Sequence, residues 1–99
     1  MDMTGGTSIN LHDAVLERIE LLWQDKLCRC FVRAWNEGAS SDFCLEFSEV
    51  TDISMPHVEP WGPSSNILEH VEDAHYYAIK MQSGDIIRIR AKALRVIRD

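Results

Sequence analysis

The chain has 99 residues, of which 45% are hydrophobic, and its formal net charge at pH 7 is -6. This length suits one domain with a single core, and no window approaches the ~18 consecutive apolar residues that a membrane-spanning helix needs. The first residues are neither basic nor apolar enough for a signal peptide, and an odd number of cysteines does not form a complete disulfide framework. We therefore expect a cytoplasmic protein with reduced thiols and no membrane contact.

The charge is divided unevenly along the chain. Residues 1–75 hold 14 acidic and 4 basic side chains, whereas residues 76–99 hold 2 acidic and 6 basic ones. A basic segment of this kind can bind nucleic acid or an acidic partner. Because the chain as a whole is acidic and repels phosphate, we expect the basic segment to pair with acidic strands of its own domain.

Residues 1–10 are small and polar, and they are predicted to be a flexible lead-in to a single domain at residues 11–99. Residues 11–35 admit two interpretations. As a helix, the segment would start after Asn10 as N-cap and end at Gly38. Its apolar stripe would comprise Leu11, Val15, Ile19, Leu22, Leu27, Cys30 and Ala34. Periodicity alone slightly favours this helix.

As two strands, the same segment alternates on both sides of a polar break. A tight turn at Asp25-Lys26 would set Trp23 opposite Cys28. Leu21 would then lie opposite Cys30, and both thiols would share one face.

The middle of the chain reads as loop, strand and crossing loop. Residues 36–42 are a loop by composition, and residues 43–47 alternate as a half-buried strand with Phe43, Leu45 and Phe47 on one face. Val50 and Ile53 are expected to point inward. All three prolines lie within residues 56–63, and since proline lacks a ladder donor, this segment is predicted to be a crossing loop.

Residues 77–91 predict a hairpin whose register follows from the turn. A three-residue loop, Gln82-Ser83-Gly84, with Gly84 at positive φ in a G1 bulge, sets Ile79 against Ile87 and Tyr77 against Ile89. A slip of one residue would turn every side chain over. Before the hairpin, residues 66–71 are predicted to be a short strand or a single helical turn. After it, Leu94, Val96 and Ile97 are expected to close the sheet.

Several linked segments carry a resemblance. They are His12-Asp13-Ala14, Trp23 shortly before Cys28, residues 43–51 (FCLEFSEVT), Pro60-Trp61-Gly62-Pro63-Ser64 and Met81-Gln82-Ser83-Gly84-Asp85. Together they span most of the chain from Leu11 to Ala91 and resemble an uncharacterised family of small bacterial single-domain proteins. The resemblance implies an all-strand fold, with residues 11–35 as two strands, and it implies no particular activity. The Leu-, Arg- and Glu-rich composition of residues 11–35 keeps the helix alternative open. A broader similarity in size, charge and strand pattern is to small acidic immunity-type domains, which bind and block toxins.

No segment carries a catalytic signature. His12 and Asp13 could orient an imidazole, but a structural pair that bonds to backbone is the expected role. The residues that resemble metal ligands are His57, Glu59, His70, Glu72 and His75, which lack compact ligand spacing. Cys28 and Cys30 are expected to be packed core residues, because no base or helix terminus is visible that would lower a thiol pKa. We expect no catalytic residues, no metal and no cofactor.

Two sets of residues are candidates for binding. In the first set, Pro60, Trp61 and Gly62, prolines and a glycine preset a loop in which the tryptophan either anchors a partner or folds back as a lid over the open end of the fold. The second set is a basic strip on the outer face of the hairpin, with Lys80, Arg88 and Arg90 beside Tyr76. This strip could bind a phosphate backbone, or it could form ion pairs with acidic side chains across the sheet.

The sequence predicts an all-β fold, an antiparallel sandwich or partly open barrel of about six or seven strands. The alternative is α+β, with one long N-terminal helix on a small antiparallel sheet. For function, we expect a non-enzymatic protein-binding module, immunity-like or an accessory partner, which could also form homo-oligomers through an edge strand. A nucleic-acid-binding protein that uses the basic strip is the second hypothesis, and a metal-binding or enzymatic domain is the third.

Overall fold

A computed structural model of the chain describes residues 11–36, 38–73 and 76–98. The predicted lead-in at residues 1–10, the proposed Asn10 cap and His75 lie outside these residues. The described segments form eight strands and no helix. The strands are β1 (Val15–Leu22), β2 (Leu27–Asn36), β3 (Ala39–Ser48), β4 (Asp52–Ser54), β5 (Ile67–Glu72), β6 (Tyr77–Met81), β7 (Ile86–Arg90) and β8 (Ala93–Arg98).

The strands form two four-stranded antiparallel sheets. Sheet A has the order β1-β2-β3-β8, and sheet B has the order β4-β7-β6-β5. Within the described ranges the sheets do not close into a barrel, so the prediction of an antiparallel sandwich is confirmed, with eight strands instead of six or seven. The alternative of a long N-terminal helix is wrong, because Val15–Leu22 and Leu27–Asn36 form β1 and β2, with a turn between them. The described part of the chain contains no helix that is long and apolar enough to cross a membrane.

The core lies between the inward faces of the two sheets. In β3 the alternating residues Phe43, Leu45 and Phe47 are buried, as the sequence predicts. Ile79 and Ile89 oppose them from sheet B and are fully buried. The Phe47 ring meets the Tyr77 ring edge to face, with centroids 5.2 Å apart. Each fully buried side chain of this size stabilises the fold by about 1.5–3 kcal/mol.

The C-terminal hairpin has the predicted register. Ile79 pairs with Ile87, and Tyr77 pairs with Ile89. Gly84 has a φ of 95°, and its N–H donates to the Met81 carbonyl at 3.0 Å. The predicted three-residue loop with a positive-φ glycine is therefore confirmed.

The first hairpin differs from the prediction by two residues. Leu21, not Trp23, lies opposite Cys28, and Ile19 lies opposite Cys30. The turn spans residues 23–26 instead of two residues, since Lys26 adopts a φ of 53° and its N–H donates to the Trp23 carbonyl. Trp23 consequently projects from the turn and is 92% exposed.

The predicted loop at residues 36–42 is mostly strand. β2 continues to Asn36 and β3 begins at Ala39, so only residues 37 and 38 connect them. Gly38 has a φ of 81°, which permits this short reversal. Ser40 and Ser41, two of the polar residues that suggested a loop, are exposed at the end of the sheet, and Asp42 accepts a hydrogen bond from Arg33 Nε at 3.0 Å.

The two sheets are joined where β1 begins. The Asp13 N–H donates to the Ile67 carbonyl, and the Ile67 N–H donates to the Ala14 carbonyl. The Leu16 N–H then donates to the Ser65 carbonyl at 2.8 Å. These bonds cover the start of β1 with the segment that leads into β5, and they leave the rest of this strand as an edge of sheet A.

Candidate functional site

The proline-containing loop between β4 and β5 is bound to the hairpin turn by one buried carboxylate. Asp85, which is 5% exposed, accepts hydrogen bonds from the Val58 N–H at 2.9 Å and the Glu59 N–H at 3.0 Å. The Ser83 hydroxyl donates to the same carboxylate at 2.8 Å. Burial alone would raise the pKa of Asp85, but these donors outweigh it and hold the pKa below its ordinary value. The carboxylate therefore stays ionised and keeps the loop on the turn.

Bonds within the loop fix the backbone on both sides of Trp61. The Trp61 N–H donates to the Ser83 carbonyl at 2.9 Å, and the Gly62 N–H donates to the Glu59 carbonyl at 3.0 Å. The Glu59 carboxylate accepts from the Ser64 N–H at 3.2 Å. With a φ of 56°, Glu59 adopts a conformation that is uncommon for residues other than glycine, and these bonds stabilise it.

Pro60 and Trp61 pack against the turn at Gly84. A β-carbon added to Gly84 would lie 2.8 Å from Trp61 Cδ2 and 2.9 Å from Pro60 Cγ, so only glycine leaves room for this contact. The other parts of the indole face solvent, and Trp61 is 72% exposed. Val58, at the start of the same loop, is also exposed. The ring does not cover the end of the sandwich as a lid would, and it stands on a fixed support with its apolar surface accessible.

The basic strip lies elsewhere, on the outer face of sheet B. Lys80 Nζ is 3.2 Å from a carboxylate oxygen of Glu69, which gives this cation a partner on the neighbouring strand. Arg90 is exposed and lies opposite Asp52 of β4. Arg88 is also exposed, opposite Ser54. Trp61 contacts the turn that joins β6 to β7, whereas Arg90 lies at the other end of β7, so the structure separates these two residues. Lys80 lies beside the turn, opposite Ile86.

The residues that resembled metal ligands are dispersed. His57 Nε2 lies 3.6 Å from a Glu59 carboxylate oxygen in the loop, while His70 and Glu72 lie on β5. Among the described residues, no three His, Cys, Asp or Glu side chains are grouped to hold a metal ion. His12 has its Nδ1 2.8 Å from the Leu68 carbonyl oxygen, the backbone contact expected of a structural role.

Cys28 and Cys30 are fully buried and face the core, as the sequence predicts. The hydrogen bond with the Cys28 thiol, together with burial, raises the pKa of Cys30 above its ordinary value. The Cys30 thiol therefore stays neutral, and weakly nucleophilic, near neutral pH, whereas the same hydrogen bond lowers the pKa of Cys28.

The sequence interpretation missed Asp85, the residue that organises the loop. A signal was present, because Asp85 shares the parity of Ile87 and Ile89 and must point inward with them. A carboxylate that points inward needs hydrogen-bond donors. The loop between β4 and β5 supplies two of them, the Val58 and Glu59 N–H groups.

No protein-family model, curated protein or solved structure matches this chain.

Proposed function

We propose that this chain is a non-enzymatic protein-binding module that uses Trp61 as the anchor for a protein partner, with Pro60 and Gly62 shaping the loop around it. The role is immunity-like or that of an accessory partner in a bacterial cytoplasm. The observation that carries the proposal is an indole that is 72% exposed on a loop bound to the turn by the Asp85 carboxylate and the Ser83 carbonyl.

Two physical arguments support this proposal. Tryptophan is among the residues that contribute most to protein interfaces, because it buries a large apolar area at a small cost in side-chain entropy. A loop that is already held in one conformation loses little further entropy on binding.

The test compares three immobilised proteins in a capture experiment from bacterial lysate. Trp61→Ala should abolish retention of the partner and leave the melting temperature within a few degrees of wild type, because most of the ring is in water. Trp35→Ala is the matched control, since Trp35 is 54% exposed on a strand of sheet A. This control should retain the partner.

Nuclease treatment of the lysate separates the proposal from nucleic-acid binding. If retention depends on nucleic acid and is lost on replacing Arg88 or Arg90, the basic strip is the binding surface and the proposal is wrong. Equal retention by wild type and Trp61→Ala would also contradict it.

A further inference from the structure

The free part of β1 is an unpaired strand edge in the described structure. β1 is an outer strand of sheet A, and its start is covered by the bridge between Val15 and Asn66 and by the bond from the Leu16 N–H to Ser65. A bulge then interrupts the register between Leu16 and Arg18. From Arg18 to Leu22, none of the described strands pairs with the outer side of β1.

A row of alternating charges crosses the outer face of sheet A and ends at this edge. It consists of Arg95, Glu46, Arg29 and Glu20 on four adjacent strands. Glu46 accepts from Arg29 Nε at 2.8 Å and from Arg95 Nη2 at 2.9 Å. Cross-strand neighbours of opposite charge stabilise a sheet, and like charges destabilise it. A strand added beyond Glu20 would therefore continue the row with a cation at that position.

The edge strand itself supplies this cation. Arg18 and Glu20 flank Ile19 symmetrically. Within one chain Arg18 Nε lies 3.1 Å from a Glu20 carboxylate oxygen, and both side chains remain substantially exposed. If two β1 edges pair antiparallel with Ile19 opposite its own copy, Arg18 of each chain lies opposite Glu20 of the other. A register centred on Glu20 would instead oppose two carboxylates. The charge pattern of this edge is thus complementary to itself in one register.

Apolar residues beside the edge fit the same arrangement. Leu21 is 53% exposed, and Trp23 is 92% exposed just beyond the end of β1. In the register centred on Ile19, Trp23 of one copy lies opposite Val15 of the other, beside the part of β1 that Ser65 and Asn66 cover. Leu16 and Ile19 line a groove of about 390 Å³ whose opposite wall includes Met55. Polar residues also line this groove, and its Leu16, Ile19 and Met55 side chains offer apolar contact to a ring that is almost fully exposed in the single chain.

We propose that two copies of this chain pair through the edges of β1, antiparallel about Ile19, and join their A sheets into one continuous sheet. The contact is isologous, so it closes on itself as a dimer. The bulge next to Arg18 limits the paired segment and prevents the edge from extending further. This proposal is independent of the loop at Trp61, and Trp61→Ala should leave the dimer intact.

Sedimentation velocity from roughly 1 to 100 µM tests the proposal, because this range brackets the dissociation constants of modest interfaces. The wild-type protein should shift from monomer to dimer as its concentration rises. In an Arg18→Glu dimer, two carboxylates would face each other at both ends of the contact. In a Glu20→Arg dimer, two guanidinium groups would face each other there. Each substitution should raise the dimer dissociation constant roughly tenfold or more. Arg88→Glu is the matched charge reversal on the other sheet and should leave the dimer unchanged.

Mixing the two variants gives the sharpest result. In a mixed pair, every carboxylate at the contact faces a guanidinium, so Arg18→Glu and Glu20→Arg should form a heterodimer although each alone is monomeric. Thermal melts of each variant verify that it is folded. A wild type that stays monomeric at 100 µM would overturn the proposal. So would single reversals that leave the dimer unchanged, or folded variants that do not associate when mixed.

Amide hydrogen exchange on the wild type gives a test that needs no variant. Protection of residues 18–20 should increase between dilute and concentrated samples, because these residues pair in both copies in the proposed register. Protection that increases only at another edge, such as β8 or β5, would overturn the proposed contact even if the protein dimerises.

Discussion

Replacing Gly84 with alanine should destabilise the fold through two separable effects. The φ of 95° is unfavourable for a residue with a β-carbon and costs about 1–2 kcal/mol. The new β-carbon would also lie 2.8 Å from Trp61 Cδ2 and 2.9 Å from Pro60 Cγ. Relieving this overlap by moving the loop or the turn costs about 1–3 kcal/mol more. Urea unfolding should therefore show a loss of about 2–5 kcal/mol, the sum of the two ranges.

Gly38 provides the control for the backbone effect. Its φ is 81°, but a β-carbon there would meet nothing within 4 Å, so Gly38→Ala should lose only about 1–2 kcal/mol. In a Trp61→Ala background, the cost of Gly84→Ala should fall by about 1 kcal/mol, because two of the three closest atoms are gone. Equal losses at Gly84 and Gly38, together with no coupling to Trp61, would refute the claim that the loop rests on this glycine.

Two further predictions concern the core and its response to pH. Ile89→Ala should cost about 2–4 kcal/mol and Ile86→Ala under about 1.5 kcal/mol, because Ile89 is fully buried and Ile86 only partly so; equal losses in urea unfolding would mean that the register is wrong. Burial lowers the pKa of His70 below its usual value, so the unfolded chain binds this proton more readily. The stability that neutral His70 contributes should be present above about pH 6.5 and lost as the pH falls toward the folded-state value. Unfolding free energies measured from pH 7.5 to 5.5 should fall more steeply for wild type than for His70→Phe, and parallel curves would contradict this.

The two hairpins show what alternation in a sequence can determine. Side chains alternate with a period of two, so the pattern excludes any register shift by an odd number of residues and cannot distinguish shifts by an even number. In the C-terminal hairpin, Gly84 marks the position of positive φ, and the register was predicted correctly. In the first hairpin, the positive-φ residue is Lys26, a residue type that carries no such signal. The predicted register there was wrong by two residues, although Cys28 and Cys30 still face the core as predicted.

The residues of the candidate site could be predicted from the sequence, but the contacts that hold the loop in place could not. Proline, tryptophan and glycine in sequence indicated a preset loop with Trp61 at its centre. Whether the Trp61 ring is exposed to solvent or buried by the rest of the protein depends on which segment the loop contacts. That contact is made by Asp85, which is more than twenty positions away in the sequence. The amino-acid composition of the loop does not indicate such a contact. Gly84 was assigned a role in its turn alone, whereas it also leaves the space that Trp61 occupies.

The position of β3 in sheet A has a consequence for how this protein is made. One of its neighbours, β2, immediately precedes it, but the other is β8, and Phe47 pairs with Leu94. Ribosomes add about 5–20 residues per second, so the far edge of this ten-residue strand waits on the order of seconds for its partner. During that interval it can pair with another nascent copy or with a chaperone. A chain truncated within β8 would keep the edge open permanently, which predicts aggregation instead of a simple loss of stability.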